Sequence, residues 1–236
     1  MIIEKPIFIY KKQIKKIQKS SNFEKNIIIE GFMHRYTKMY NEFLRFWKLN
    51  SNNVLSLKSS FCIPEIPMGT FRDSDDISSS CLYDIGCYGI SLINDIGLDL
   101  DNINIHSFVE KKSKLVRLSL NGFVQGIYIE INFGKDKNYE NYIEVTTNNQ
   151  KKISFSPFFY GRETEKTIKY NNNDKEVRFV DNNAFQQMFN LNLHHLHLSQ
   201  KKRFQAISKV TRKLESLASQ YEILKSKQKI NNIMEN

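Results

Sequence analysis

The sequence predicts an α+β fold: a mostly antiparallel, open-faced sheet packed on helices, preceded by a short β-α-β piece. Three observations predict it. Val116, Leu118 and Leu120 alternate with Arg117 and Ser119, and Ile127, Ile129, Ile131 and Phe133 alternate with Tyr128, Glu130 and Asn132. Alternation of period two marks strands with one buried face. Asn121-Gly122 lies between these runs and reads as a hairpin turn. On both sides of this strand-rich middle, apolar residues recur instead at helical spacing.

Taken in order, Ile2-Ile3 runs into Glu4-Lys5-Pro6 like the end of a buried strand. Lys11 to Lys19 reads as a basic helix with a narrow apolar face at Ile14 and Ile17. Ile27-Ile28-Ile29 is a β-branched run of buried-strand type. Together, residues 1–36 form the last piece of a doubly wound, Rossmann-type domain. A lone pair of parallel strands leaves edges and a face uncovered, so this piece needs further partners. A helix over 38–50 and a strand over 54–62 follow. Ser78 to Ser80 are placed to cap a helix over 82–96 that stops at Gly97. Further strands are expected near 103–109, 142–146, 152–156 and 176–180. A helix over 184–198 carries Phe185, Met188, Phe189, Leu193 and Leu196 on one face. In the last helix Ile207, Val210, Leu214, Leu217, Tyr221 and Leu224 recur at steps of three and four. That spacing suits a helix covering its own domain better than a short zipper. The domain division is therefore 1–36, then 37–228, with a polar, frayed tail over 229–236.

Bulk composition narrows the function classes. A chain of 236 residues with 40% hydrophobic content can bury a substantial core. No apolar run reaches bilayer-spanning length, and Met1 to Tyr10 lacks the pattern of a signal peptide, so a cytoplasmic protein without a membrane partner is expected. Three cysteines, Cys62, Cys81 and Cys87, form no CxxC pair and read as reduced, buried thiols. The formal charge of +10 invites a nucleic-acid reading. Against it, the lysines accompany many Ile and Asn, as in AT-rich coding. They are also spread along the chain, apart from Lys11, Lys12, Lys15, Lys16 and Lys19. With no zinc-finger spacing, RNP-like motif or basic zipper, nucleic acid is not the expected partner. His194, His195 and His197 point away from the apolar face of their helix and lack a third ligand, so no metal site is expected.

The residues that suit chemistry lie on the 82–96 helix. Ile85, Gly89, Leu92, Ile93 and Ile96 share one side, and Asp84, Tyr88 and Ser91 share another. Asp84 in the first turn is favoured by the helix dipole, and Tyr88 one turn on brings a phenol beside that carboxylate. Such a pair can move a proton to or from a substrate hydroxyl. A phenol titrates near pH 10 unperturbed, so it needs a cation nearby to act as a base; Lys5 is the natural supplier. An Asp at a helix start is also a common cap, and a Tyr one turn on is common packing.

Glu4-Lys5-Pro6 and Leu82-Tyr83-Asp84-Ile85-Gly86-Cys87-Tyr88, in this order and separation, resemble the active-site signatures of the glucose–fructose oxidoreductase / inositol dehydrogenase / MocA (Gfo/Idh/MocA) family. Gly31 to Tyr36, Ile143 to Phe158 and Asp181 to Phe189 extend the likeness over nearly the whole chain. The resemblance implies an oxidoreductase that moves a hydride between NAD or NADP and a sugar or polyol. It makes Lys5, Asp84 and Tyr88 the catalytic set and places Glu4, Lys5 and Pro6 at the cofactor, often with a cis Lys5-Pro6 peptide. Arg35, from the Gly31–Tyr36 match, and Arg72, before the 82–96 helix, are the candidates for substrate oxygens. The likeness also implies a homo-oligomer joined through the open sheet face.

Three departures stand out. Ser78-Ser79-Ser80-Cys81 replaces the usual glycine-rich turn, Thr37-Lys38 replaces the proline expected after Arg35, and the chain has no GxGxxG. NAD(P) use is therefore expected only if a Rossmann half upstream of Met1, or on a separate chain, supplies the missing loop. The alternative is a non-catalytic truncated product or an oligomerisation or interaction domain.

Overall fold

The computed structural model describes residues 2–20, 23, 28–74, 76–136, 138–171, 175–194 and 200–234, apart from the side chains at 71, 191–194, 200, 229 and 231–234. It opens with a parallel pair, β1 (Ile2–Ile3) and β2 (Ile29–Glu30), in register Ile2↔Ile29 and Ile3↔Glu30. The connection between them contains α1 (Lys11–Gln18). Ile14 of α1 joins Phe8, Ile28, Phe204 and Ile207 in a small separate core.

The body of the molecule is an eight-stranded sheet. Its strands are β3 (Val54–Cys62), β4 (Asn104–Lys111), β5 (Lys114–Val124), β6 (Ile127–Gly134), β7 (Glu140–Thr147), β8 (Lys152–Ser156), β9 (Thr164–Tyr170) and β10 (Lys175–Asp181). They lie in the order β10-β9-β8-β7-β3-β6-β5-β4. Every pairing is antiparallel except β3 with β6. The expected alternation in β6 is met: Ile127, Ile129, Ile131 and Phe133 are buried, and the residues between them are half-buried. In β5 it is Leu115, rather than Val116, that is buried, because the pairing with β4 skips Val116 at a bulge.

The hairpin turn is not at Asn121-Gly122. β5 runs through both residues, and the chain reverses at Gln125-Gly126, where φ is +52° and +82°. Positive φ at both central residues is what a type I′ turn requires. Gly122 is needed for close approach instead: a Cβ there would lie 2.0 Å from the Asn102 carbonyl oxygen. Both partners are backbone, so Gly122→Ala is expected to destabilise the fold by about 1–3 kcal/mol. Urea unfolding reads this, and a change below about 0.5 kcal/mol would contradict the assignment.

One face of the sheet is covered by helices. Leu82–Gly86 is a π-helical turn that continues into α3 (Cys87–Asp95). Among the described residues no side chain caps this helix: the Ser80 carbonyl accepts from Asp84 N at 2.9 Å, and Ser79 Oγ donates to the carbonyls of Ser74 and Asp76. The helix lies directly on β6, because a Cβ on Gly86 or Gly89 would come within 2.5 Å of the Phe133 ring or of Ile131 Cγ2. Behind it, α5 (Gln200–Met234) packs back on its own domain through Val210, Leu214, Leu217 and Tyr221, as its spacing predicts. It continues as helix past Lys225 to Met234, where the sequence suggested fraying.

α2 (Lys38–Asn50) covers the other half of the sheet with Met39, Phe43 and Trp47. Its first turn is held by Thr37 Oγ1, which accepts from Tyr40 N at 3.1 Å, and by the Asp181 carboxylate, which accepts from Lys38 N and Met39 N at 2.9 and 3.0 Å. Lys166, fully buried, balances Asp181 at 3.6 Å and donates to the Tyr160 carbonyl. α4 (Ala184–His194) differs from expectation. It docks through Ala184 and Met188, leaving Phe185 and Phe189 exposed. The side chains of Leu193 and Leu196, and of the three histidines weighed as metal ligands, lie outside the described set. Among the described residues no group of His, Cys, Asp or Glu is arranged to hold a metal, and no helix is long and apolar enough to cross a membrane.

Candidate active site

The carboxyl end of β1 delivers Lys5, followed by a cis Lys5-Pro6 peptide, to the start of the π-turn on the far side of the chain. Lys5 Nζ donates to the Asp84 carbonyl and lies 3.3 Å from Asp84 Oδ1. The same ammonium sits over the Tyr88 ring, 4.7 Å from its centroid. Arg72 Nε meets Asp84 Oδ2 at 2.7 Å. Lys5, Arg72, Asp84 and Tyr88 are thus brought together.

A fifth group at the site was not singled out from the sequence. Lys135, the residue after β6, places Nζ 3.3 Å from Asp84 Oδ2 and donates to the carbonyls of Arg72 and Ser79, both at 2.6 Å. Nothing in its sequence surroundings marks it. The signal lies in register: β6 is the strand on which Gly86 and Gly89 rest, so its end falls beside Asp84.

The charges settle as follows. Burial works against an ionised Asp84, but Lys5, Arg72 and Lys135 outweigh it and hold the carboxyl below its usual range. Burial also works against the Lys5 ammonium, but charge on its neighbours Cys87, Tyr88 and Asp84, of which Asp84 is the one ionised at neutral pH, more than offsets it, so its pKa rises. Burial dominates at Lys135 and lowers its pKa despite Asp84.

The geometry of Tyr88 corrects two expectations. Its phenol does not abut the Asp84 carboxylate. The wider π-turn breaks the one-turn stacking assumed for a plain α-helix, and the hydroxyl donates to Met33 Sδ at 3.4 Å. Nor is the phenol made acidic. Burial pushes its pKa above the ordinary value, and Lys5, lying over the ring face instead of at the hydroxyl, pulls it back only in part. The ring is caged by Phe32, His34, Phe61 and Phe159, with centroids at 5.3, 5.1, 5.2 and 5.7 Å. At neutral pH Tyr88 holds its proton and Asp84 has lost its own.

Two further residues bear on this cage. His34 is fully buried, and neither of its ring nitrogens has a hydrogen-bond partner among the described residues. Burial first, then Arg35, Lys166 and Lys5, keep it neutral. Arg35 is not delivered to the Lys5–Asp84 cluster. It lies on a 3-10 turn, Met33–Tyr36, with its Nε and Nη2 on Asp95 at 2.8 and 3.0 Å and its guanidinium 4.6 Å from the Phe32 ring centroid. Tyr40 donates to the same Asp95, so this arginine pins the far end of α3. Glu4 is exposed beside the Lys5-Pro6 peptide.

No family model matches the chain, and no curated protein matches it in sequence. Its fold, however, matches that of Gfo/Idh/MocA family oxidoreductases over more than nine-tenths of its length. The 3-ketoreductase KijD10 from Actinomadura kijaniata, solved with NADP and TDP-benzene, superposes with a TM-score of 0.71 at 18% identity, covering 92% of this chain and 69% of that one. An aldose–aldose oxidoreductase from Caulobacter crescentus, complexed with glycerol, gives 0.75 at 12% identity, covering 93% and 69%. A Gfo/Idh/MocA family oxidoreductase from Vibrio cholerae gives 0.67 at 11% identity, covering 95% and 71%.

Proposed function

We propose that the chain is the substrate-binding and proton-transfer part of an NAD(P)-dependent oxidoreductase of the Gfo/Idh/MocA type, acting on a sugar or polyol hydroxyl and its ketone. One observation carries this: Lys5, 79 residues from Asp84 in sequence, is held against Asp84 and over Tyr88. Similar folds in complex with NADP and TDP-benzene, and with glycerol, support the same reading. In the proposed division, residues 1–36 are the end of a dinucleotide-binding domain and residues 37–228 the substrate and oligomerisation domain.

Lys5 follows the carboxyl end of a parallel strand, where ligands bind in open α/β sheets, so its position fits a nicotinamide neighbour. NAD(P), when bound, supplies the donor or acceptor of hydride. The other tasks fall to this chain. Tyr88, protonated, gives its proton to the carbonyl oxygen as the carbon is reduced, and takes one back in the reverse direction. The Met33 thioether is a weak acceptor that a substrate oxygen would displace from the phenol. Lys5 polarises that oxygen and balances the phenolate left behind. Asp84 fixes the Lys5 ammonium, and Arg72, whose side chain is 45% exposed, reaches the substrate from the solvent side. Arg35 serves as a positioning residue through Asp95.

The test is reduction of a panel of ketosugars by NADH or NADPH with the protein isolated from its native host. Nucleotide-dependent turnover supports the proposal; absence of both turnover and nucleotide binding contradicts it. The outward sheet face is polar, with Lys58 and Glu130 paired at 2.9 Å, and is proposed to join two copies. Light scattering should give a dimer or larger, and a monomer mass would remove that proposal.

A further inference from the structure

A concave site whose lining includes none of Lys5, Arg72, Asp84 or Tyr88 lies between α1 and the first turns of α5. It is a groove of about 900 Å³. Lys11, Lys15 and Gln18 line it at positions i, i+4 and i+7 of α1. Lys202, Gln205, Lys209 and Arg212 line it at i, i+3, i+7 and i+10 of α5. Each set falls on one side of its helix, so the two rows face one cleft. The floor is apolar, with Ile14 and Phe204 from the small core, and Asn94 closes one side.

The charge of this cleft is one-sided. All five cations are exposed. Lys11, Lys15, Lys209 and Arg212 have no carboxylate partner among the described residues. Among the described residues, Glu215 lies close by and accepts from the Lys11 backbone N–H at 3.3 Å. Asp95, next to Asn94, is occupied by Arg35 and Tyr40. Several like charges around one concavity focus the local potential and attract anions into it.

We infer that this groove binds a compact ligand carrying two or more phosphate groups. The cations stand on both walls, so a single phosphate engages only part of them, whereas a polyphosphate spans them. The volume is that of a small-molecule site, up to nucleotide size. The amides of Gln18, Asn94 and Gln205 offer donors and acceptors for the uncharged part of such a ligand. The inference is independent of the proposed catalytic site.

Calorimetric titration with inorganic tripolyphosphate at physiological ionic strength tests it. The expected result is saturable binding of one ligand per chain, weakened at least about tenfold in a Lys15→Glu/Lys209→Glu variant. Lys48→Glu, an exposed site on α2, should leave it unchanged. Both groove lysines are exposed, and circular dichroism verifies that the variant is folded. The inference is overturned by absence of saturable binding, by equal weakening in the Lys48 variant, or by tighter binding of a single-stranded oligonucleotide than of tripolyphosphate. The last outcome would make the groove a polymer track.

Discussion

Replacing Tyr88 with phenylalanine is expected to lower turnover by about 10²–10⁴-fold, the usual contribution of a positioned proton donor. Stability should change little. The lost hydroxyl makes one bond, to the weak thioether acceptor of Met33, and the ring cage of Phe32, His34, Phe61 and Phe159 is kept. Phenylalanine also keeps the ring face on which Lys5 sits. The pH dependence follows from the raised phenol pKa. A proton donor works below its pKa, so carbonyl reduction should hold through neutral pH and fall only above the ordinary phenol value of about 10. Turnover and melting temperature, measured side by side, decide the matter. Preserved turnover with a lowered melting temperature would make Tyr88 a packing residue and nothing more.

Asp84→Asn should cost stability as well as activity. Asp84 is the common anion for Lys5, Lys135 and Arg72, and the first two are as buried as Asp84 itself, with side chains 10%, 8% and 12% exposed. Removing one member of a buried ion cluster leaves uncompensated charge, a loss of about 3–5 kcal/mol. Arg72 is half in solvent and adds little to that figure. The linkage to pH has a definite sign. The folded-state pKa of Asp84 is depressed, so its contribution is fully present above the unfolded carboxyl value of about 3.9 and is lost as pH falls through the lower folded value. Denaturant unfolding at neutral pH and in an acid series should therefore show the wild type losing stability that the variant never had. A neutral-pH difference below about 1 kcal/mol would mean that solvent screens the cluster.

What the sequence revealed, and what it hid, follows from how local each signal is. Alternation in β6 and the steps of three and four in α5 are local, and both led to the right buried faces. β9 went unread because Ile168 is nearly its only apolar residue, in a strand close to the sheet edge. The β5–β6 turn was misplaced because Gly122 carries the same letter for a different reason, the Asn102 carbonyl packed against it. Lys5, Asp84, Arg72 and Tyr88 were legible as residue types and motifs. The resemblance also grouped Lys5, Asp84 and Tyr88, whereas the direction of the phenol was not legible. A π-turn does not announce itself by periodicity, so the phenol's move toward Met33 was hidden. Lys135 was hidden more deeply, since it reaches Asp84 only through the packing of two glycines on β6.

The most direct test of the central claim is isotopic. The protein from its native host would be given a ketosugar and NADPH deuterated at the transferable position of the nicotinamide, and the product carbon examined by mass spectrometry. Deuterium is expected on the carbon that bore the carbonyl, with transfer lost in the Tyr88→Phe protein and nucleotide binding kept. Nucleotide bound without any transfer, or transfer undiminished in the Tyr88→Phe protein, would contradict it.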